Sequence, residues 1–92
     1  MLGELVHIGF GNILSIDKVV AISPPSSAPV KRIIVDSRNN GQLVDMSCGR
    51  KTKSVIFTTS GHVILAALSP ETIASRSVSK EAKAKLEVLD GI

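Results

Sequence analysis

Aromatic residues are almost missing from this chain of 92 residues, which has no tryptophan, no tyrosine and two phenylalanines. Long apolar runs are missing too, since the longest, residues 63–68, is far shorter than the about 20 residues of a membrane-spanning helix. The single cysteine, Cys48, cannot form an internal disulfide, which suits a reducing compartment. The N-terminus has no basic segment and no small-residue cleavage site, so we expect no signal peptide and a cytoplasmic protein.

The length excludes a modular enzyme with separate cofactor and substrate domains, since a domain usually has roughly 100–150 residues. Valine and isoleucine nevertheless contribute ten residues each, and the mean hydropathy of +0.29 is high for a soluble domain. A domain this small buries only about 60–65% of the surface that its unfolded chain exposes. The apolar surplus therefore predicts an interface and favours an oligomer over a monomer.

The positive charge is concentrated in the middle of the chain. The net charge is +3 overall, but residues 18–53 carry +5, residues 1–17 carry −2 and residues 54–92 balance to zero. A basic segment inside a globular domain indicates a polyanionic partner, nucleic acid first. A basic face that is merely solvated remains the alternative.

The pattern predicts an α+β fold, with a small antiparallel β-sheet, one central helix and a short C-terminal helix. Strands are expected over residues 5–10, 12–16, 18–23, 43–48, 55–59 and 62–68, and the helices over residues 29–40 and from residue 70. Pro29 suits the first turn of the central helix, and the run Asn-Asn-Gly at residues 39–41 should end it. The helix should pack through Val30, Ile33, Ile34 and Ser37, and the last two strands are apolar on both faces and need cover on two sides.

Catalytic chemistry finds little support. Cys48, His7, His62 and Asp45 could supply a nucleophile, a base and an orienting group, but no spacing favours this, and Cys48 falls in a predicted apolar strand where a thiol is packed. The same residues are too scattered for a zinc site. The Gly-x-Gly at residues 9–11 lacks the context of a phosphate-binding loop and indicates a bulge or a sharp bend. We predict no enzyme, no metal, no cofactor and no small-molecule substrate.

The basic residues are better candidates, and the expected DNA-binding set is Lys18, Lys31, Arg32, Arg50, Lys51 and Lys53. Arginine pairs with guanine or phosphate, whereas lysine mainly supplies charge to phosphate. Proteins that bind single strands stack bases on aromatic rings, and here Phe10 and Phe57 both fall in predicted apolar strands. Double-stranded DNA is therefore the expected partner, and an oligomer would multiply its weak contacts.

Four segments resemble one protein family. Residues 7–13, H-I-G-F-G-N-I, are similar to the N-terminal signature of the RemA family, small bacterial regulators of extracellular-matrix genes. Residues 24–32 resemble the family's S-P-E-S-A-P-I-K-R, residues 45–53 contain its G-R-R/K-T-R/K turn, and residues 62–73 match its hairpin strand and following helix. The similarity spans about residues 5–78.

This resemblance implies a DNA-binding transcriptional activator of biofilm-matrix operons, and in some bacteria of osmoprotectant genes, that assembles into a ring-shaped homo-oligomer. The family's DNA-contacting positions fall on Lys18, Arg50 and Lys51, and Pro29 is a position that supports activity. Lys18 and Lys51 stand where arginine is common, which keeps the charge and loses the planar fork. Pro25 replaces an acidic residue. Residues 1–78 would form the DNA-binding and oligomerisation domain, with residues 79–92 as a charged helix or tail.

Two alternatives stay open. An RNA-binding oligomeric module would prefer unstructured RNA to duplex DNA, and the scarcity of aromatic residues argues against it. A structural adaptor that contacts acidic proteins would show no salt-dependent affinity for nucleic acid.

Overall fold

The computed structural model describes residues 4–76, and in this part of the chain it has an α+β architecture with a central helix and a shorter second one. The elements in order are β1 (Leu5–Gly9), β2 (Asn12–Ser15), a turn of 3₁₀ helix (Ile16–Lys18), β3 (Val19–Ser23), α1 (Ala28–Asn39), β4 (Leu43–Asp45), β5 (Ser54–Thr58), β6 (Val63–Ala66) and α2 (Pro70–Arg76). The predicted fold class is confirmed, while the tail predicted at residues 79–92 lies outside the described residues. No helix of the described part is long and apolar enough to cross a membrane.

The strands form two sheets. β1 and β2 make an antiparallel hairpin, and the other four strands lie in the order β3-β5-β6-β4. β4 is parallel to β6, so the prediction of a wholly antiparallel sheet is wrong. The connection explains the difference, because α1 carries the chain from the end of β3 back along the sheet. β4 can then enter at the far edge in the same direction as β3.

The four-stranded sheet is covered on both faces. Along β5 and β6 the side chains alternate, so that Val55, Val63 and Leu65 pack under α1 while Ile56 and Ile64 face the hairpin and α2. The second face carries the larger cluster, with residues of both helical and strand elements: Val6, Ile8, Leu14, Ile16, Val19, Ile22, Ile56, Ile64, Ala66 and Ile73. The expectation that the last two strands need cover on two sides is confirmed.

Both ends of α1 follow from local sequence. Ser27 is the N-cap, and its hydroxyl accepts the N–H of Val30 at 3.3 Å, with a proline in the first turn. At the other end the N–H groups of Gly41 and Gln42 donate back to carbonyls of the last turn at 3.3 and 2.8 Å, the arrangement of a Schellman motif. The predicted start and stop signals are therefore confirmed. The packing face is narrower than predicted, since Ile33 is 39% exposed.

Two residues predicted inside apolar strands lie in turns instead. Phe10 stands between β1 and β2, has a φ of +55° and is 53% exposed. Cys48 follows β4, has a φ of +54° and is also exposed, so the interpretation as a packed thiol is wrong. In both cases an apolar residue is followed by a glycine and the pair forms a turn, so the predicted strands, which ended at Phe10 and Cys48, were too long.

Candidate nucleic-acid interface

The two turns share one backbone conformation. Phe10 and Gly11 have φ values of +55° and +77°, and Cys48 and Gly49 have +54° and +78°. Positive φ at both central positions is the mark of a type I′ turn, which connects strands tightly. The bend predicted at the Gly-x-Gly of residues 9–11 is thus confirmed, and the β1–β2 register shifts beside it.

The turns meet in space around Arg50. The guanidinium carbon of Arg50 lies 5.7 Å from the centre of the Phe10 ring, within the range of a cation–π contact. Beside this pair is a pocket of about 320 Å³, lined by Phe10, Arg50, Lys51, Lys53, Ala67 and Leu68. Three of the six predicted DNA-binding cations therefore line one concavity, together with an aromatic side chain that the sequence analysis placed in an apolar strand.

Hydrogen bonds fix the wall of this pocket to the sheet. The N–H of Lys53 donates to the Ala66 carbonyl at 2.9 Å. The hydroxyl of Ser54, which is fully buried, donates to the Leu68 carbonyl. The start of β5, the end of β6 and the segment that follows it are therefore held together, so that the backbone of Lys53 is fixed beside Ala67 and Leu68 of the pocket.

Asp45 holds the turn that precedes Arg50. Its carboxylate accepts the N–H of Ser47 at 2.9 Å and the hydroxyl of Ser47 at 2.6 Å. The Ser47 carbonyl in turn accepts the N–H of Arg50 at 3.0 Å. The hydrogen bonds from Ser47, with a contribution from the charge of Arg38, hold the pKa of Asp45 below its usual range. Sequence reasoning considered Asp45 only as a catalytic orienter and missed this role.

Sheet topology places most of the predicted cations at one end of the four-stranded sheet. β3, β4 and β6 end there and β5 begins there, since β5 runs antiparallel to its two neighbours and β4 is parallel to β6. The turn of Arg50 follows β4, Lys53 precedes β5, and α1 starts after β3 and the loop that follows it. We call this the basic end, defined by six exposed residues: Pro29, Lys31, Arg32, Arg50, Lys51 and Lys53.

Lys18 lies at the opposite end. Its carbonyl accepts the N–H of Thr59, the residue that follows β5, at 2.8 Å. Six residues along an extended chain separate Thr59 from Lys53, a distance of about 20 Å. One protomer therefore does not bring Lys18 together with Arg50 and Lys51.

The residues considered for catalysis are not brought together either. Cys48 follows β4 and His62 precedes β6, and because these strands are parallel the two side chains belong to opposite ends of the sheet. His62 contacts Ser60 instead, with 2.7 Å between Nδ1 and the hydroxyl oxygen. Within residues 4–76, no three side chains of His, Cys, Asp or Glu cluster as a metal site requires.

Comparison with known proteins extends over nearly the whole described chain. The model of one family, described as extracellular matrix regulatory protein A-like, or RemA-like, matches residues 5–76, a segment that contains both turns and α1. The chain belongs to the RemA-like family. The resemblance inferred from four segments is thereby confirmed.

Several relatives of this RemA-like protein carry the name "Putative regulatory protein". One from Dehalococcoides mccartyi is 65% identical over 88 residues, which cover 95% of this chain and 92% of that protein. Another from Rippkaea orientalis is 58% identical over 82 residues, covering 88% and 92% of the two chains. A third from Pelotomaculum thermopropionicum is 55% identical over 84 residues, covering 91% and 92%. The names describe regulators and none of the three describes an enzyme.

Proposed function

We propose that this RemA-like protein regulates transcription by binding double-stranded DNA through the basic end of its sheet. The observation that carries the proposal is the position of five exposed cations at one end of the four-stranded sheet, in the turn after β4, before β5 and in the first turns of α1. Phosphate contacts from such cations supply most of the affinity of proteins for DNA. The family's description supports extracellular-matrix genes as the regulated set, with osmoprotectant genes as a further possibility implied by the resemblance.

Arg50 and Lys51 have different tasks in this proposal. The guanidinium carbon of Arg50 lies 5.7 Å from the centre of the Phe10 ring, and the planar fork of a guanidinium can make a bidentate contact with phosphate or guanine. Lys51 has a point charge and no fork, so it contacts phosphate without distinguishing bases. Arg50 is thus the residue of this turn that we expect to contribute to sequence preference.

Self-association completes the proposed site. Five large apolar side chains outside the pocket are between 39% and 66% exposed: Leu5, Ile13, Val20, Ile33 and Val35. A repeated head-to-tail contact through such surfaces closes a ring and multiplies the basic ends. Lys18 would then contact the same duplex further along. The distance of about 20 Å between the two ends of the sheet corresponds to roughly six nucleotides at 3.4 Å each.

Binding of single-stranded RNA is the second candidate, and the exposure of Phe10 is the observation in its favour. The scarcity of aromatic residues argues less strongly against stacking, because this ring is 53% exposed. Proteins that bind single strands stack successive bases on several rings, however. Within residues 4–76 the other phenylalanine, Phe57, is half-buried under α1, so one ring per protomer is available. Duplex DNA remains the favoured partner.

Fluorescence anisotropy of a labelled duplex, titrated between about 50 and 200 mM salt, tests the proposal. The double variant Arg50→Ala/Lys51→Ala should flatten the slope of log affinity against log salt by about 1.8, because each lost phosphate contact removes about 0.9. Arg76→Ala removes one positive charge at the end of α2, outside the predicted DNA-binding set, and serves as the control. A slope near zero for the wild type would refute DNA binding, and stronger competition by single-stranded RNA than by duplex would favour the second candidate. Light scattering that shows a monomer at micromolar concentration would refute the ring.

A further inference from the structure

The pocket beside Phe10 has an apolar half that phosphate contacts do not use. The pocket is lined by three apolar residues, Phe10, Ala67 and Leu68, and by three cations, Arg50, Lys51 and Lys53. Contacts with the DNA backbone need the three cations alone. The apolar part of the lining therefore requires a separate explanation.

Phe10 occupies a position where folding alone would favour another residue. Its φ of +55° is costly for a bulky side chain, and asparagine or glycine is preferred at this place in a type I′ turn. The ring is also 53% exposed, so it contributes less to the core than a buried phenylalanine would. An aromatic side chain held outward in a strained turn, beside a pocket, points to contact with a ligand.

The chemistry of the pocket indicates which ligand. An aromatic ring and a guanidinium plane are the two protein surfaces on which nucleobases stack. Of the residues from 4 to 76 that line the pocket, three are cations and none is acidic, so the ligand is an anion. The volume of about 320 Å³ is at the small end of the roughly 300–1,000 Å³ range of ligand pockets.

We propose that this pocket binds a single nucleotide, with its base against Phe10 and Leu68 and its phosphate at Arg50, Lys51 and Lys53. The inference rests on the proposed function, since Arg50 and Lys51 belong to both sites. A nucleotide can come from two sources: a free nucleotide, which would compete with DNA and so regulate it, or an unpaired nucleotide within the bound DNA. The sequence analysis gave no reason to expect a small ligand, because it placed Phe10 in a strand.

Calorimetric titration of the full chain with adenosine monophosphate tests the pocket. Phe10→Leu keeps an apolar side chain without the ring, and Phe10→Tyr keeps the ring. We expect Phe10→Leu to weaken binding about fivefold or more, the low end of the effect of losing one stacked aromatic ring, and Phe10→Tyr to retain the wild-type affinity. Urea denaturation of both variants checks that the turn still folds. Equal affinity of wild type and Phe10→Leu, or binding of inorganic phosphate as tight as that of the nucleotide, would overturn the inference.

Competition experiments then distinguish the two sources. Displacement of a labelled duplex by adenosine monophosphate supports a free nucleotide, and tighter binding of a duplex with one unpaired base, lost in Phe10→Leu, supports a nucleotide of the DNA. If the duplex binds but neither of these nucleotide probes does, the pocket proposal fails and the proposed function stands. If the nucleotide binds but no duplex does, the proposed function fails and the pocket stands.

Discussion

The carboxylate of Asp45 allows the placement of Arg50 to be tested without removing a cation. Asp45→Ala removes both the negative charge and the oxygen that accepts two hydrogen bonds from Ser47, whereas Asp45→Asn removes the charge and keeps an acceptor. Long-range electrostatics alone predicts that both variants bind DNA slightly tighter. If the hydrogen bonds position the turn, Asp45→Ala binds more weakly and Asp45→Asn does not.

The size of the effect follows from the burial of Ser47. Ser47 is 3% exposed, and its N–H and hydroxyl both donate to Asp45. Leaving a buried donor unsatisfied costs about 1–3 kcal/mol, and the lower part of this range applies because Asp45 itself is exposed and water can enter its place. About 1–2 kcal/mol shifts an equilibrium by about 5- to 30-fold. The affinity for DNA should fall by up to that factor, since only the ordered turn binds.

Anisotropy titrations over the same salt range provide the readout. The line of log affinity against log salt for Asp45→Ala should move down in parallel, because every cation is still present. Arg50→Ala/Lys51→Ala should instead change the slope. Thermal unfolding of each variant shows whether the whole fold is affected. Equal affinities of Asp45→Ala and Asp45→Asn would refute the positioning role.

Three further variants or conditions test the fold that supports the site. Folding lowers the pKa of Asp45 from 3.8, so the contribution of Asp45 to stability is complete above pH 3.8 and is lost as the pH falls through the lower pKa of the folded state. The difference in urea midpoint between wild type and Asp45→Ala should therefore shrink on acidification. A constant difference would contradict this. Ser27→Ala should cost about 1 kcal/mol of unfolding free energy through loss of the N-cap, whereas Ser26→Ala should leave it unchanged. Ile56→Ala should cost about 2–5 kcal/mol and Ile56→Val about 0.5–1.5 kcal/mol in urea denaturation, and equal costs would place this side chain outside the core.

The parts of the fold that could be predicted from sequence are those that local chemistry decides. The serine before α1 satisfies a backbone N–H of its first turn, Pro29 in that turn lacks an N–H that would need a partner, and the glycine after α1 allows the bonds that satisfy its last carbonyls. Such signals lie within a few residues of the structure that they specify. The apolar character of β5 and β6 likewise predicted cover on both faces, because side chains of a strand alternate between its faces.

The direction of β4 could not be predicted in the same way. Whether a strand joins a sheet parallel or antiparallel depends on which neighbour it meets, and β4 meets β6, about 20 residues further along the chain. The placement of Phe10 and Cys48 inside strands was wrong for a different reason. An apolar residue followed by glycine fits both a strand and a type I′ turn, and the glycines that follow them were the available signal.

In the candidate site, too, the residue types could be predicted from the sequence, whereas the contacts between distant residues could not. The cations could be named from the sequence because charge is visible there, and the structure places Lys31, Arg32, Arg50, Lys51 and Lys53 at one end of the sheet while Lys18 lies at the other. The contact between Phe10 and Arg50 joins residues that are 40 positions apart. No spacing rule reveals such a pair, since it depends on how the hairpin docks on the sheet.

The architecture also limits where partners can reach the protein. α1 covers one face of the four-stranded sheet, and the hairpin with α2 covers the other, so neither face is available for contact. The edges, β3 and β4, the two ends, and the outer surfaces of α1 and the hairpin remain. Edge strands favour contact with further strands, and the basic end favours contact with a polyanion. Because these surfaces are separate, a protomer could join its copies and hold DNA at the same time, and the exposed apolar side chains need not compete with the cations for one partner.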